Sequence, residues 1–178
     1  MMTHVWLLRH AKSDWGDASL TDFERPLNPR GRRDAPRLGR WLAATAGPPE
    51  RVVASPARRV AETVDAVLSA AGWSELPVTW EPRIYEASVG ELLDVLTEVS
   101  PGASSVWLVG HNPGLEELLR FLAPSVPMPA DRKLMPTAAL ARLELSGRAS
   151  RPQPGAARSA SVMRPADLPP ESGSPASA

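Results

Sequence analysis

Read by polarity alone, the chain alternates short continuous apolar runs with longer stretches in which apolar residues recur every three or four positions. Val5-Trp6-Leu7-Leu8 is the first run, and it stops at Arg9-His10. Unbroken apolar runs of this length suit strands buried on both faces, as in parallel sheets. Arg51 to Ala54, Pro77 to Trp80 and Ser105 to Val109 read as further strands, and Ala138 to Leu145 alternates as a final half-exposed strand at or near a sheet edge. Between them lie amphipathic helices. Ala35, Leu38, Trp41, Leu42 and Thr45 mark one that starts at Asn28-Pro29 and ends at Gly47, with Pro36 an awkward interior residue. Val60, Val64, Val67, Leu68 and Ala71 mark a second, after Ser55-Pro56 and closed by Gly72; Val89, Leu92, Leu93, Leu96 and Val99 mark a third. Leu115, Leu118, Leu119 and Leu122 mark a fourth, after Asn112-Pro113. Strand and helix thus take turns, as in an α/β fold.

Residues 14 to 28 carry no periodicity and read as a surface loop over the carboxyl end of the first strand. From Arg148 onward the chain is Pro, Ser, Ala, Gly and Arg with scattered apolar residues, too few to offset the entropy of ordering. The expectation is one domain over residues 1–147 and a disordered tail over 148–178.

Composition narrows the function. A chain of 178 residues, 43% hydrophobic, has room for one real core. Twenty Lys+Arg balance twenty Asp+Glu, so no global field draws it to nucleic acid or to an anionic membrane. The arginines at 30, 32, 33, 37 and 40 read as a solvated helix face. Cysteine is absent and there are three histidines, of which His4 and His10 stand at opposite ends of one strand, too far apart for one metal ion. The amino terminus shows no basic leader before its short apolar run, which points to a cytoplasmic protein.

The chemistry gathers at three strand-to-helix turns: Arg9-His10, Ser55-Pro56-Ala57-Arg58 and Gly110-His111-Asn112-Pro113. In a parallel sheet all three open on the crevice at the carboxyl ends of the strands. Two arginines, two histidines and the amino termini of the following helices would there favour an anion, and guanidinium forks suit phosphate oxygens. Trp15 stands beside the same crevice. Each of these residues alone has an ordinary reading as a cap or a solvated side chain; their convergence makes a phosphate site.

LLRHAKSDW, SPARRVAET and GHNPGLEELL, with KLMPTAALARLEL near the end, resemble the histidine phosphatase superfamily (branch 1), in particular its small SixA-like phosphohistidine phosphatases. The resemblance runs from about Thr3 to Leu145. It implies a three-layer α/β/α sandwich with a mostly parallel central sheet and an antiparallel edge strand. It implies further that His10 is phosphorylated on its ring, that Arg9, Arg58 and His111 bind the phosphoryl group, and that Ser13 lies near the phosphate. Ala11 stands where many members have Gly and Val60 where Thr is common, and neither departure removes a charge.

The expected mechanism is in-line attack by neutral His10 while Arg9, Arg58 and protonated His111 hold the equatorial oxygens, followed by hydrolysis of the phosphoenzyme, with no metal or cofactor. An alkyl ester would need a general acid; phosphohistidine, with its better leaving group, would not. Glu86, in RIYEAS, is either that acid or a loop carboxylate paired with Arg83. Residues 72 to 104 leave no room for a large lid, so the pocket could admit a phosphohistidine-bearing protein. A small-molecule phosphomonoesterase and a phosphate-reading module without turnover are the alternatives. Nothing in the residues speaks to oligomeric state.

Overall fold

The computed structural model describes residues 2–146 and 151–170. Its strands are β1 (Met2–Arg9), β2 (Arg51–Ala54), β3 (Val78–Trp80), β4 (Ser105–Gly110), β5 (Leu140–Ser146) and β6 (Ala157–Met163). Its α-helices are α1 (Pro29–Thr45), α2 (Arg58–Ala71), α3 (Val89–Val99) and α4 (Gly114–Leu122). The strands form one sheet in the order β3-β2-β4-β1-β5-β6. β1, β2, β3 and β4 pair in parallel, and β5 runs antiparallel to β1.

Side chains alternate across β1, which explains why its apolar run is unbroken. Val5 and Leu7 enter the core beneath α3 and α4 with Leu92, Leu96, Leu115 and Leu118. Trp6 and Leu8 enter the opposite core with Leu38, Leu42, Val60 and Val64 of α1 and α2, where Trp6 stacks on Trp107 at 5.5 Å. Helices therefore cover both faces, and the three-layer α/β/α expectation holds.

Helix starts differ in detail from the sequence reading. Asn28 caps α1, its side chain accepting from the Gly31 N–H at 2.9 Å. Gly31 also admits the loop after β1, because a Cβ there would stand 2.3 Å from the Lys12 carbonyl oxygen. Ser55 does not cap α2; that helix begins at Arg58. Pro36 is accommodated inside α1.

β5 lies near the sheet edge as expected, next to β6, which pairs with it antiparallel and takes the edge itself. The expectation of a disordered tail needs correction. β6 lies within the segment read as a disordered tail, and Leu168 beyond it is buried in the core shared with α1 and α2. That reading weighed side-chain burial alone, whereas β6 is held by main-chain bonding along β5 and by small residues such as Ala157 and Ala160. Residues 148–150 and 171–178 of that segment lie outside the described residues. Among the described residues no helix is long and apolar enough to cross a membrane.

Candidate active site

Sheet register brings the crevice together. β1 and β4 align with Arg9 opposite Gly110, so the next residue of each, His10 and His111, emerge side by side with ring centroids 5.2 Å apart. β2 aligns with Ala54 opposite Val109, which sets Ser55 beside them; its N–H donates to the Val109 carbonyl at 3.0 Å. The crevice encloses about 430 Å³ and is lined by Arg9, His10, Ser13, Arg59, Glu86 and His111, among others.

His10 is 7% exposed. Its Nδ1 donates to the Ala11 carbonyl at 2.7 Å, which leaves Nε2 unprotonated and open to the crevice. Burial pushes its pKa down to about 4, opposed next by the Ala11 hydrogen bond and aided by the weaker repulsion of Arg59 and Arg9. The imidazole is therefore neutral near pH 7. The Ala11 N–H in turn donates to Thr63 Oγ1 at 3.0 Å, and the His10 carbonyl accepts from the Ala138 N–H, so the main chain on both sides of the ring is held.

The arginine delivered by α2 is Arg59 and not Arg58. Arg58 is half exposed and pairs with Glu62 at 2.8 Å on the outer face of the helix. Arg59, 7% exposed, turns inward: Nη2 donates to Asp22 Oδ2 at 2.9 Å and to His111 Nδ1 at 3.2 Å. Successive helical residues point about 100° apart, so only one of two adjacent arginines can face the crevice. The signal was present in the sequence, because Arg59 and Thr63 lie on the stripe that continues through Val60, Val64 and Val67.

His111 differs from the expected imidazolium. Burial first, then His10 and Arg59, push its pKa down to about 3. Since Arg59 donates to Nδ1, the ring proton sits on Nε2 and donates to Ser55 Oγ at 2.9 Å. His111 is thus a neutral donor, and a phosphoryl dianion beside it would raise its proton affinity.

Arg9 lines the crevice, Nη1 donating to the Met135 carbonyl at 2.9 Å while its buried Nε has no partner among the described residues. Ser13 is buried on the wall and bridges Leu27. Glu86 lines the crevice in a left-handed conformation, φ 54°. Its alternative reading fails, because Arg83 pairs with Glu81 and Glu98 instead, at 2.8 and 2.6 Å. Trp15 lines the mouth, 67% exposed, with the Arg25 guanidinium 3.6 Å from its ring centroid.

Asp22 was hidden in the sequence inside a polar loop. Here it accepts from both Arg59 and Tyr85 Oη, the latter at 2.8 Å. Burial works to raise its pKa, but those hydrogen bonds outweigh it and hold the carboxyl below its ordinary value. It therefore stays ionised and fixes the Arg59 fork. Among the described residues no cluster of three or more His, Cys, Asp or Glu side chains is placed to hold a metal ion.

Residues 5–108 match the family model described as histidine phosphatase superfamily (branch 1). An uncharacterized chloroplast protein of Arabidopsis thaliana is 32% identical over 125 residues, covering 66% of this chain and 57% of its own length. An uncharacterized protein of Mycobacterium tuberculosis is 30% identical over 155 residues, covering 84% of this chain and 94% of its own. Among solved structures, the protein histidine phosphatase SixA complexed with tungstate superposes with a TM-score of 0.76 at 25% identity, covering 94% of this chain and 100% of that one.

Proposed function

Because the chain belongs to the histidine phosphatase superfamily (branch 1), we propose that it is a phosphatase that hydrolyses phosphohistidine on a partner protein through a phosphorylated His10. The observation that carries this reading is the His10 ring, with its proton committed to Ala11 through Nδ1 and Nε2 free in a crevice bearing Arg9 and Arg59. Its likeness to the tungstate-bound SixA structure supports the substrate class.

Nε2 attacks phosphorus as the P–N bond breaks, so the phosphoryl group passes to His10 and the substrate imidazole, protonated on its other ring nitrogen, leaves neutral. Arg59 and Arg9 neutralise the equatorial oxygens, and the Nε2–H edge of His111, held between Arg59 and Ser55, faces the same crevice. Water then attacks the phosphoenzyme, and phosphate leaves with His10 restored. Between α2 and β4 the chain forms only β3, a short turn at Pro82–Ile84 and α3, so no large lid covers the mouth and it stays open to a histidine presented on a protein surface. The reading requires no cofactor.

One observation favours a second reading, hydrolysis of small phosphomonoesters. Glu86 stands in the crevice wall free of Arg83, where it could protonate an alkoxide leaving group. The deciding experiment measures phosphate release from a phosphohistidine protein and from p-nitrophenyl phosphate, with EDTA present, for the wild type and His10→Ala. Phosphohistidine turnover that resists chelation and vanishes in the variant is expected. Turnover of the aryl ester alone would move the assignment to the second reading, and no phosphate release from either would leave a binding module.

A further inference from the structure

A second crevice of about 480 Å³ adjoins the first and shares Arg9, Lys12, Asn112 and Thr137 with it as a common wall. Its lining adds Arg30, Arg132, Lys133 and Arg164, making six cations against two carboxylates, Glu116 and Asp131. The whole chain has zero net charge, so this excess is local.

The carboxylates are already engaged. Asp131 accepts from Arg164 and from the Lys133 N–H, and Glu116 accepts from Asn112 and the Met135 N–H, both at 3.3 Å. Lys12, Arg132 and Lys133 make no ion pair among the described residues. The dividing wall also holds a buried donor and a buried acceptor without partners, Arg9 Nε and Asn112 Oδ1. Backbone strain gathers here too: the non-glycine residues with positive φ among those described are Glu86 on the first crevice, Arg132 on the second, and Ala138 next to their shared wall. Strain of this kind persists where surrounding structure enforces it, which is common at ligand sites.

We propose that the second crevice is a subsite for a second anionic group on the same substrate, a phosphate or carboxylate covalently linked to the phosphoryl group that His10 attacks. The subsite rests on the phosphatase reading and deepens it, because it selects substrates carrying two anionic groups rather than one. Arg132 and Lys133 contribute charge without touching the reacting phosphorus, so they set specificity and not the chemical step.

Two arms of one experiment separate the sources of that group. The first compares kcat/KM for fructose 1,6-bisphosphate and fructose 6-phosphate; the second compares a phosphohistidine peptide flanked by Glu with one flanked by Ala. In at least one arm the doubly anionic substrate should be favoured roughly ten- to a hundredfold, about the worth of one charge-assisted bond. Arg132→Gln/Lys133→Gln should abolish that preference while changing p-nitrophenyl phosphate turnover less than about twofold, and the conservative Lys133→Arg should retain it. Equal rates in both arms, or a preference untouched by the double substitution, would overturn the subsite while aryl phosphate turnover left the phosphatase reading standing. If nothing is hydrolysed, titration of the same compounds decides: tighter binding of the doubly anionic member that weakens in the double variant supports the subsite, and equal binding rejects it.

Discussion

Two adjacent arginines at the start of α2 have opposite environments, and activity should register the difference. Arg59 donates to Asp22 and His111, whereas Arg58 pairs with Glu62 on the solvent side. Arg59→Ala is expected to lower kcat/KM by about 10²–10³, the usual loss for one donor to a transition-state anion, and Arg58→Ala by less than about threefold. Steady-state assays on p-nitrophenyl phosphate read both; equal losses would contradict the placement of Arg59. The histidines carry a pH signature. His10 titrates near 4 and His111 near 3 when folded, against 6.5 for an exposed imidazole. Below 6.5 the unfolded chain therefore binds more protons than the folded one. Their contribution to stability is complete above pH 6.5 and is lost as pH falls through 6.5 toward 3. Urea midpoints should drop across that window, and His111→Gln should make the drop shallower. Ring-proton NMR would follow each site directly.

Among the elements, α1 is positioned by close backbone approach. A Cβ on Gly31 would meet the Lys12 carbonyl at 2.3 Å, and one on Gly39 would meet the Val67 carbonyl of α2 at the same distance. Gly31→Ala and Gly39→Ala should each destabilise by about 1–3 kcal/mol, since carbonyls of packed elements cannot yield as a flexible side chain would. Gly31→Ala should also lower activity, because Lys12 lies in the loop that carries Ser13 along the crevice; chemical denaturation and assay of the same samples separate the effects. The first five strands and the four helices were legible from periodicity, down to the Asn28 cap and the Gly72 terminus, whereas β6 was not. Helix phase was legible too, though unused: the stripe through Val60, Thr63, Val64 and Val67 runs back to Arg59. Asp22 was not legible. Its partners, Arg59 and Tyr85, stand 37 and 63 residues away, and nothing local in a polar loop distinguishes a carboxylate that will meet them.

For the whole molecule, β6 changes what counts as the domain. It completes the sheet beyond β5, and Leu168 after it fills a place between α1 and the sheet. Ending the chain at Ser146 should expose the β5 edge, lower the melting temperature by several degrees, and promote association visible in size-exclusion chromatography. An unchanged melting temperature would mean that β6 adds nothing to stability. Alternation of apolar runs with helical stripes was enough to announce an α/β architecture with chemistry at the strand ends, because burial on both faces of a strand and one face of a helix is written locally in side-chain polarity. Motifs at the three turns were enough to suggest phosphate. Which of two neighbouring arginines enters the crevice, whether His111 is charged, and whether a segment of small residues joins the sheet depended on register, burial and main-chain pairing. Those are properties of residues far apart in the chain and close in space, and no window along the sequence contains them.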